Sequence, residues 1–536
     1  MKPDNLPKNS AEIRCVPVGS SAPPSREVSA ALAEFGRLQR ARKLTPETAM
    51  RLAIEAATAF LERMDAAGGY ARDAIALLCN LATLDDPSLA RAGLHGLFPL
   101  LIERLGDAFT PEACAAYDRL FVQVVQHCRQ LPQGAVLDHR LRGFGLFTEA
   151  DLLARAARVR ACKRFDRTQA RRISKVFVLS RVTLGADVAV TSVALAAMKA
   201  TFPAAEIRLV ANTKAFQLFA GDPRIRLCAV EYPRGGGLIE RLASWQESVT
   251  SLQQHLQGLG PTEYVIIDPD SRLTQLGLLP LVADEQPYFF FESRRYEAVG
   301  GQKIGALTSH WLQHVFGHSP SHDLFYPYCA PSQGDVTAAH KLVNVIKRQG
   351  SKSIVSVNFG VGTNPAKRLP DPFELRLLTR LLSDGATVIL DKGGEPEEAA
   401  RIAGLVAALQ GEGFASVALD DPACGTEVPS AAAGVQLLTW QGSIGRFAAL
   451  IATSDVYIGY DSAGQHIAAA LGIPTITVFT GFTSPRMPER WAPYGRGSIA
   501  MLRLDMGETK TLPQIGAIVD EVVSRMPEGY GSSSSS

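Results

Sequence analysis

Residues 457–479 read YIGYDSAGQHIAAALGIPTITVF. An acid and an imidazole, Asp461 and His466, stand five residues apart in this stretch. Between them Ser462, Ala463 and Gly464 are small enough for a diphosphate to approach the backbone amides. Asp455–Tyr460 has the composition of a short strand, Gln465–Leu471 that of a helix, and Gly472 and Pro474 stop the helix. The turn therefore lies at the carboxyl end of a strand and opens a helix, where free N–H groups and the helix dipole favour a phosphate. A ring N–H of His466 would reach a phosphate oxygen, and Asp461 would orient the loop or a donor hydroxyl. The plainer reading is a tight turn with a capping aspartate and a surface histidine.

Three other stretches have similar chemistry. RVTLGADVAVTS (Arg181–Ser192) follows another strand. Gly185 permits a tight turn, and Asp187 can serve as general base toward an acceptor hydroxyl, or simply cap the next helix. NFGVGTNPAKRLPDPFELRLL (Asn358–Leu378) places Thr363 in a Gly- and Asn-rich loop, with Lys367 just beyond. A cation there suits a departing nucleoside diphosphate; the alternative is a solvated basic loop. In DKGGEPEEAARI (Asp391–Ile402), Glu397 can accept hydrogen bonds from a ribose or favour a helix N-terminus.

Two patterns suggest metals. His310, His314, His318 and His322 are four apart, but Gly317 and Pro320 break a helix before the last pair. Asp268–Asp270 matches the DxD pattern of metal-dependent sugar transferases, a three-letter pattern that is common by chance. No metal and no cofactor are expected.

The elements that must position these groups alternate. KVFVLS, EIRLVA, RIRLCAV and EYVIID read as strands, with helices at Val188–Thr201 and Leu238–Leu256 between them. A second series runs SIVSVNF, ATVILD, VQLLT and VYIGY, with helical Pro372–Ser383, Glu397–Leu409 and Ile444–Ala452. Such alternation predicts an α/β fold of two parallel sheets with crossover helices, joined near Pro327–Gln333. Before them the pattern is helical, with Thr45-Pro46 and Thr110-Pro111 as cap and N1 pairs. The expected organisation is a disordered 1–26, an all-α domain over 27–170, a Rossmann-like acceptor domain over 171–330, a Rossmann-like donor domain over 331–526, and a disordered tail over 527–536.

The charge of +2 over 536 residues makes no case for nucleic acid. Eight cysteines include no CxxC pair, which argues against a disulfide framework or zinc ribbon. The amino-terminal MKPDNLPKNSAEIRC has no apolar signal core, and no membrane span is read, so a soluble cytoplasmic protein is expected. Leu152–Lys175 carries nine basic residues and one acid. It is either a solvated helix with a linker or a dock for an anionic acceptor, a phosphorylated lipid glycan at the inner membrane or an acidic protein.

The assembled blocks resemble family 9 glycosyltransferases, the ADP-heptose:lipopolysaccharide heptosyltransferase family, whose fold is GT-B. The family signature Asp-Thr-Gly-x-x-His followed by Ile/Leu-Ala-Ala-Ala-Leu-Gly-x-Pro stands here as DSAGQHIAAALGIP, and KRLP stands in place of Lys-x-Trp-Pro. VFTGFTSPRMPERWAPYG and VLSRVTLGADVAVTSVALAAM resemble further family segments. The likeness covers about 170–505. Ser462 and Ala463 replace Thr-Gly, Ala186 replaces a glycine, and Leu369 replaces tryptophan. The helical region lies outside the family pattern. The resemblance implies inverting, metal-independent transfer from a nucleotide-diphosphate sugar, ADP-heptose-like, to a lipopolysaccharide-type glycan. Asp187 would be the base. Thr363, Lys367, Glu397, Asp461, Ser462, Ala463, Gly464 and His466 would bind the donor. The alternatives are a protein acceptor or a non-catalytic nucleotide-sugar-binding scaffold.

Overall fold

The computed structural model describes residues 26–527 except 68–69, 162, 234, 299–300, 320–323, 349, 363, 421–434, 483 and 505–511. Of the segments expected to be disordered, 1–26 and 527–536, all but Arg26, which opens a helix, and Pro527 lie outside the described residues. The chain forms two compact units, Met1–Glu103 and Arg104–Ser536.

The first unit holds the helices Arg26–Arg40, Pro46–Ala67, Arg72–Ala82 and Pro87–His95, then a wide π turn over Gly96–Ile102. Leu52, Ala53, Phe60, Leu78 and Leu97 are fully buried in it. Apolar residues at three- and four-residue spacings put those side chains on one helix face. Thr45 caps its helix as expected, its hydroxyl accepting from the Thr48 N–H (3.3 Å).

The helical run continues into the second unit as Pro111–Arg129, Ala135–Gly143 and Glu149–Arg160. These helices are fixed to the first sheet by the basic run. Arg155 is buried (1% exposed), donating to the Gly277 carbonyl (2.6 Å) and lying 3.2 Å from Glu285. Arg160 pairs with Asp118 and donates to the Leu276 carbonyl (2.7 Å). Lys163 donates to the carbonyls of Glu285 and Gln286. Neither alternative expected of this run holds for these residues. The three side chains are neither a solvated face nor a free dock, because their charges are used in packing one helix on the sheet.

Two parallel sheets follow. The first comprises β1 (Lys175–Leu179), β2 (Glu206–Ala211), β3 (Ile225–Ala229), β4 (Tyr264–Asp268) and β5 (Tyr288–Phe290), in the order β3-β2-β1-β4-β5. The second comprises β6 (Ser353–Asn358), β7 (Ala386–Asp391), β8 (Ser416–Asp420), β9 (Leu437–Gln441), β10 (Val456–Tyr460), β11 (Thr475–Phe479) and β12 (Ile499–Arg503), in the order β12-β11-β10-β6-β7-β9-β8. One apolar core spans the first sheet and reaches Leu342 and Phe447 of the second lobe. A separate core with Leu377, Ile458 and Val519 covers the other side of the second sheet. Leu184–Thr201 is apolar and long enough to cross a membrane, contrary to expectation, but 72% of it is buried inside the protein.

Strand order reverses between β1 and β4 in one sheet and between β6 and β10 in the other. Ligands of open α/β sheets bind outside the carboxyl ends of strands at such points. The turns after β1, β6 and β10 contain Asp187, Lys367 and Asp461–His466.

Candidate active site

The turn after β1 closes on its own carboxylate. Asp187 is 1% exposed. One of its oxygens accepts from the Ser180 hydroxyl (2.8 Å), and the other from the Arg181 N–H (2.7 Å) and the Thr191 hydroxyl (2.9 Å). Burial pushes its pKa up to about 6, against the pull of those donors and of Arg181. Val182 takes φ 74°, a left-handed conformation unusual for a β-branched residue. Such strain concentrates at functional turns. Asp187 opens a wide π turn over Asp187–Thr191, which brings Thr191 onto its carboxylate.

The turn after β10 is tied instead to other strands. Lys367 lies 2.6 Å from one Asp461 oxygen, and Gln465 donates to the other (2.8 Å). Thr477 on β11 donates to Gln465 (2.6 Å). The Ser462 hydroxyl donates to Asn358 at the end of β6 (3.1 Å) and does not cap the helix Ala463–Leu471 that it precedes. The cap side chain thus accepts no bond from the first-turn N–H groups of that helix. Gly464 is required by closeness, since a Cβ there would lie 2.1 Å from the Tyr457 hydroxyl. His466 is buried, and burial lowers its pKa to about 4, so at neutral pH it offers one N–H and no charge.

The two turns meet. A Cβ on Gly185 would lie 3.2 Å from the His466 ring and 3.3 Å from the Ala463 Cα. The indole of Trp491 joins them, with its ring centroid 6.1 Å from that of His466 and the Arg181 guanidinium 5.7 Å above it. The structure therefore brings together Asp187, Lys367, Asp461, Ser462, Ala463, Gly464 and His466.

Two expected residues are not in this group. Thr363 lies outside the described residues. Glu397 is exposed on the first turn of the helix Pro396–Gly411. Its neighbour Glu398 faces the loop after β6 and accepts from the N–H groups of Val361 (3.0 Å) and Gly362 (3.1 Å). Successive helical residues point about 100° apart, so Glu397 and Glu398 face different surroundings.

Among the described residues, no group of three or more His, Cys, Asp or Glu could hold a metal. Asp268 accepts from Ser271, Thr274 and Tyr288, and Asp270 from Ser293 and Arg294, so protein donors hold both oxygens of Asp268 and one of Asp270. His310 and His318 bond to Tyr296 and Thr201. His322 lies outside the described residues.

Residues 428–514 match the family model of glycosyltransferase family 9 (heptosyltransferase). That span includes β10, the Asp461–His466 turn and β11. The second lobe carries a family 9 glycosyltransferase segment. Among solved structures, the chain is similar to the glycosyltransferase family 9 protein of Veillonella parvula DSM 2008. Identity is 16%, coverage is 62% of this chain and 86% of that one, and the TM-score is 0.44. It is also similar to E. coli heptosyltransferase WaaC with ADP, at 17% identity, 66% and 99% coverage, and a TM-score of 0.44. For E. coli ADP-heptose lps heptosyltransferase II the values are 16%, 66%, 98% and 0.42. No curated protein matches.

Proposed function

We propose that this glycosyltransferase moves a heptose from an ADP-heptose-like donor to a hydroxyl of a lipopolysaccharide-type glycan, with inversion and without a metal. The observation that carries the reading is the meeting of two strand-end turns from switch points of both sheets, at Gly185 and His466. One turn suits a diphosphate and the other carries a carboxylate.

The acceptor oxygen attacks the anomeric carbon from the face opposite the diphosphate. Its proton passes to a carboxylate, for which Asp187 is the candidate at the position the resemblance marks. As the bond to the diphosphate breaks, charge grows on the leaving oxygens. Lys367 then exchanges part of its pairing with Asp461 for those oxygens, and the first-turn amides of the helix Ala463–Leu471 supply further donors. His466 contributes a neutral N–H. Glu398 is placed on the loop after β6, where a ribose would lie in this reading.

The test is native mass spectrometry with a panel of nucleotide sugars, followed by turnover on heptose-deficient lipopolysaccharide. Binding of an ADP-sugar, turnover unchanged by EDTA, and a 10- to 100-fold loss of nucleoside diphosphate affinity in Lys367→Ala are expected, since a charge-assisted contact contributes about 1–3 kcal/mol. Strict dependence on a divalent ion, or glycosylation of protein but not of glycan, would overturn the corresponding part.

A further inference from the structure

One side chain joins three parts of the second unit. The indole of Trp491 lies beneath the Arg181 guanidinium of the turn after β1 and contacts the His466 ring of the turn after β10. It also receives the Phe109 ring edge-on at 6.4 Å. Phe109 belongs to the turn Asp107–Thr110, between the helices Glu103–Gly106 and Pro111–Arg129. That turn lies outside the stretch that resembles family 9 glycosyltransferases, whereas Trp491 lies inside the matched span.

The segment after β11 grips this turn at several points. The Ser484 hydroxyl donates to the Asp107 carbonyl (3.0 Å), and Arg486 donates to the Phe109 carbonyl (2.8 Å). Arg490, 1% exposed, lies over the Phe109 ring and donates to the Tyr296 carbonyl of the first lobe (2.7 Å). Phe109 is itself buried and takes φ 54°. A left-handed backbone costs a non-glycine residue free energy and persists only where the surroundings fix it. Val182, next to Arg181, is left-handed as well.

His466 depends on such a frame. Its Nε2 lies 3.4 Å from the Gln465 amide, a long contact that orients the ring weakly. Packing must therefore set the ring, with Gly185 on one side and Trp491 on the other. A ring N–H serves a ligand in one direction only, because a bent hydrogen bond weakens steeply.

We propose that Phe109 and Trp491 are positioning residues: the turn Asp107–Thr110 is a clasp that holds Trp491 against His466, so that the His466 N–H is aimed at the diphosphate of a nucleoside diphosphate. The ligand rests on the glycosyltransferase reading above. The diphosphate site of the second lobe then depends on a helical turn that the family pattern does not include.

The experiment uses the full-length protein with ADP as the probe. The variants are Trp491→Ala, Trp491→Phe, His466→Ala, Trp491→Ala combined with His466→Ala, and the pair Ser484→Ala with Arg486→Ala. The pair removes both bonds to the turn without deleting a buried ring, since Arg486 is exposed and Ser484 half-buried. Calorimetry gives ADP affinity, thermal unfolding gives Tm, and hydrogen exchange without ligand is followed over Asp461–Leu471. Trp491→Ala and the pair should each lower ADP affinity about 3- to 10-fold, the contribution of one neutral hydrogen bond. Trp491→Phe should recover most of the loss, because an aromatic edge remains against His466. On the His466→Ala background, Trp491→Ala should add less than about 2-fold, since both changes remove the same contact. Exchange over Asp461–Leu471 should rise in the pair, with Tm close to wild type. Full addition of the Trp491 and His466 losses would overturn the proposal, as would wild-type exchange and affinity in the pair. A Trp491→Phe variant as weak as Trp491→Ala would also overturn it. If the wild type binds no nucleoside diphosphate, the glycosyltransferase reading falls, and exchange over Asp461–Leu471 still decides the clasp.

Discussion

The two lobes use similar strand-end turns in opposite ways. After β1, the Asp187 carboxylate is satisfied within a dozen residues, by Ser180, Arg181 and Thr191. After β10, three side chains reach other elements, with Asp461 to Lys367, Ser462 to Asn358, and Gln465 to Thr477. A carboxylate held by its own turn keeps its place whatever is bound. A turn linked to distant strands has partners that a ligand can displace. The first lobe also uses its positive charge for packing, as Arg155 and Arg160 show, whereas Lys367 remains partly exposed beside the candidate diphosphate site.

The largest effect that would sharpen this contrast concerns Arg155. Replacing it with Gln removes a buried cation from its contacts with Glu285 and the Gly277 carbonyl, and should cost about 3 kcal/mol or more in unfolding experiments. The exposed Arg158, paired with the same Glu285, should cost under about 1 kcal/mol as Arg158→Gln. Equal losses would break the distinction between packing charge and surface charge.

Next in size is the pH dependence of stability, where the two turns have opposite signs. Asp187 has a folded pKa of about 6, above the ordinary 3.8, so its contribution is present below pH 3.8 and is lost as pH rises through 6. His466 has a folded pKa of about 4, below the ordinary 6.5, so its contribution is present above pH 6.5 and is lost as pH falls through 4. Each amounts to roughly 3 kcal/mol at most, and between about pH 4 and 6 they nearly cancel. Urea titrations should show stability falling with rising pH in His466→Asn and rising with pH in Asp187→Asn. Slopes of the same sign in both variants would refute the opposition.

The smallest effect separates the glycines. Gly464→Ala forces a methyl to within 2.1 Å of the Tyr457 hydroxyl and should cost about 1–3 kcal/mol together with nucleotide affinity. Gly185→Ala meets His466 at 3.2 Å, and a shift of a few tenths of an ångström relieves it. Its loss in Tm should be the smaller of the two. The reverse order would mean that the contact between the turns is the more rigid feature.

Much of this arrangement was legible in local sequence. The Asp461–His466 turn declares itself because a β-rich run, three small residues and a helix are contiguous. The same holds for the strands β1, β2, β4, β6, β7 and β10, whose apolar runs suit burial on both sheet faces. The short β5 and the edge strands β8 and β12 were not read, since strands of three to five residues at a sheet edge lack a continuous apolar signature. The contact of Glu398 with the loop after β6 is not legible in sequence, because the phase of a helix is least certain at its start.

By itself, then, the sequence determined the parallel α/β character of the chain from residue 175 onward and the chemistry of the turns after β1, β6 and β10. These depend on periodicity and turn residues, which act over a few positions. Only the tertiary structure decided that the helical run is divided at Glu103 and that its second part is fixed to the first sheet through Arg155 and Arg160. It alone brought the Phe109 ring edge-on to Trp491. No local pattern marks such a contact in a helix-connecting turn. It depends on the bonds from Ser484 and Arg486 to the carbonyls of Asp107 and Phe109, which exist only once the second lobe has formed.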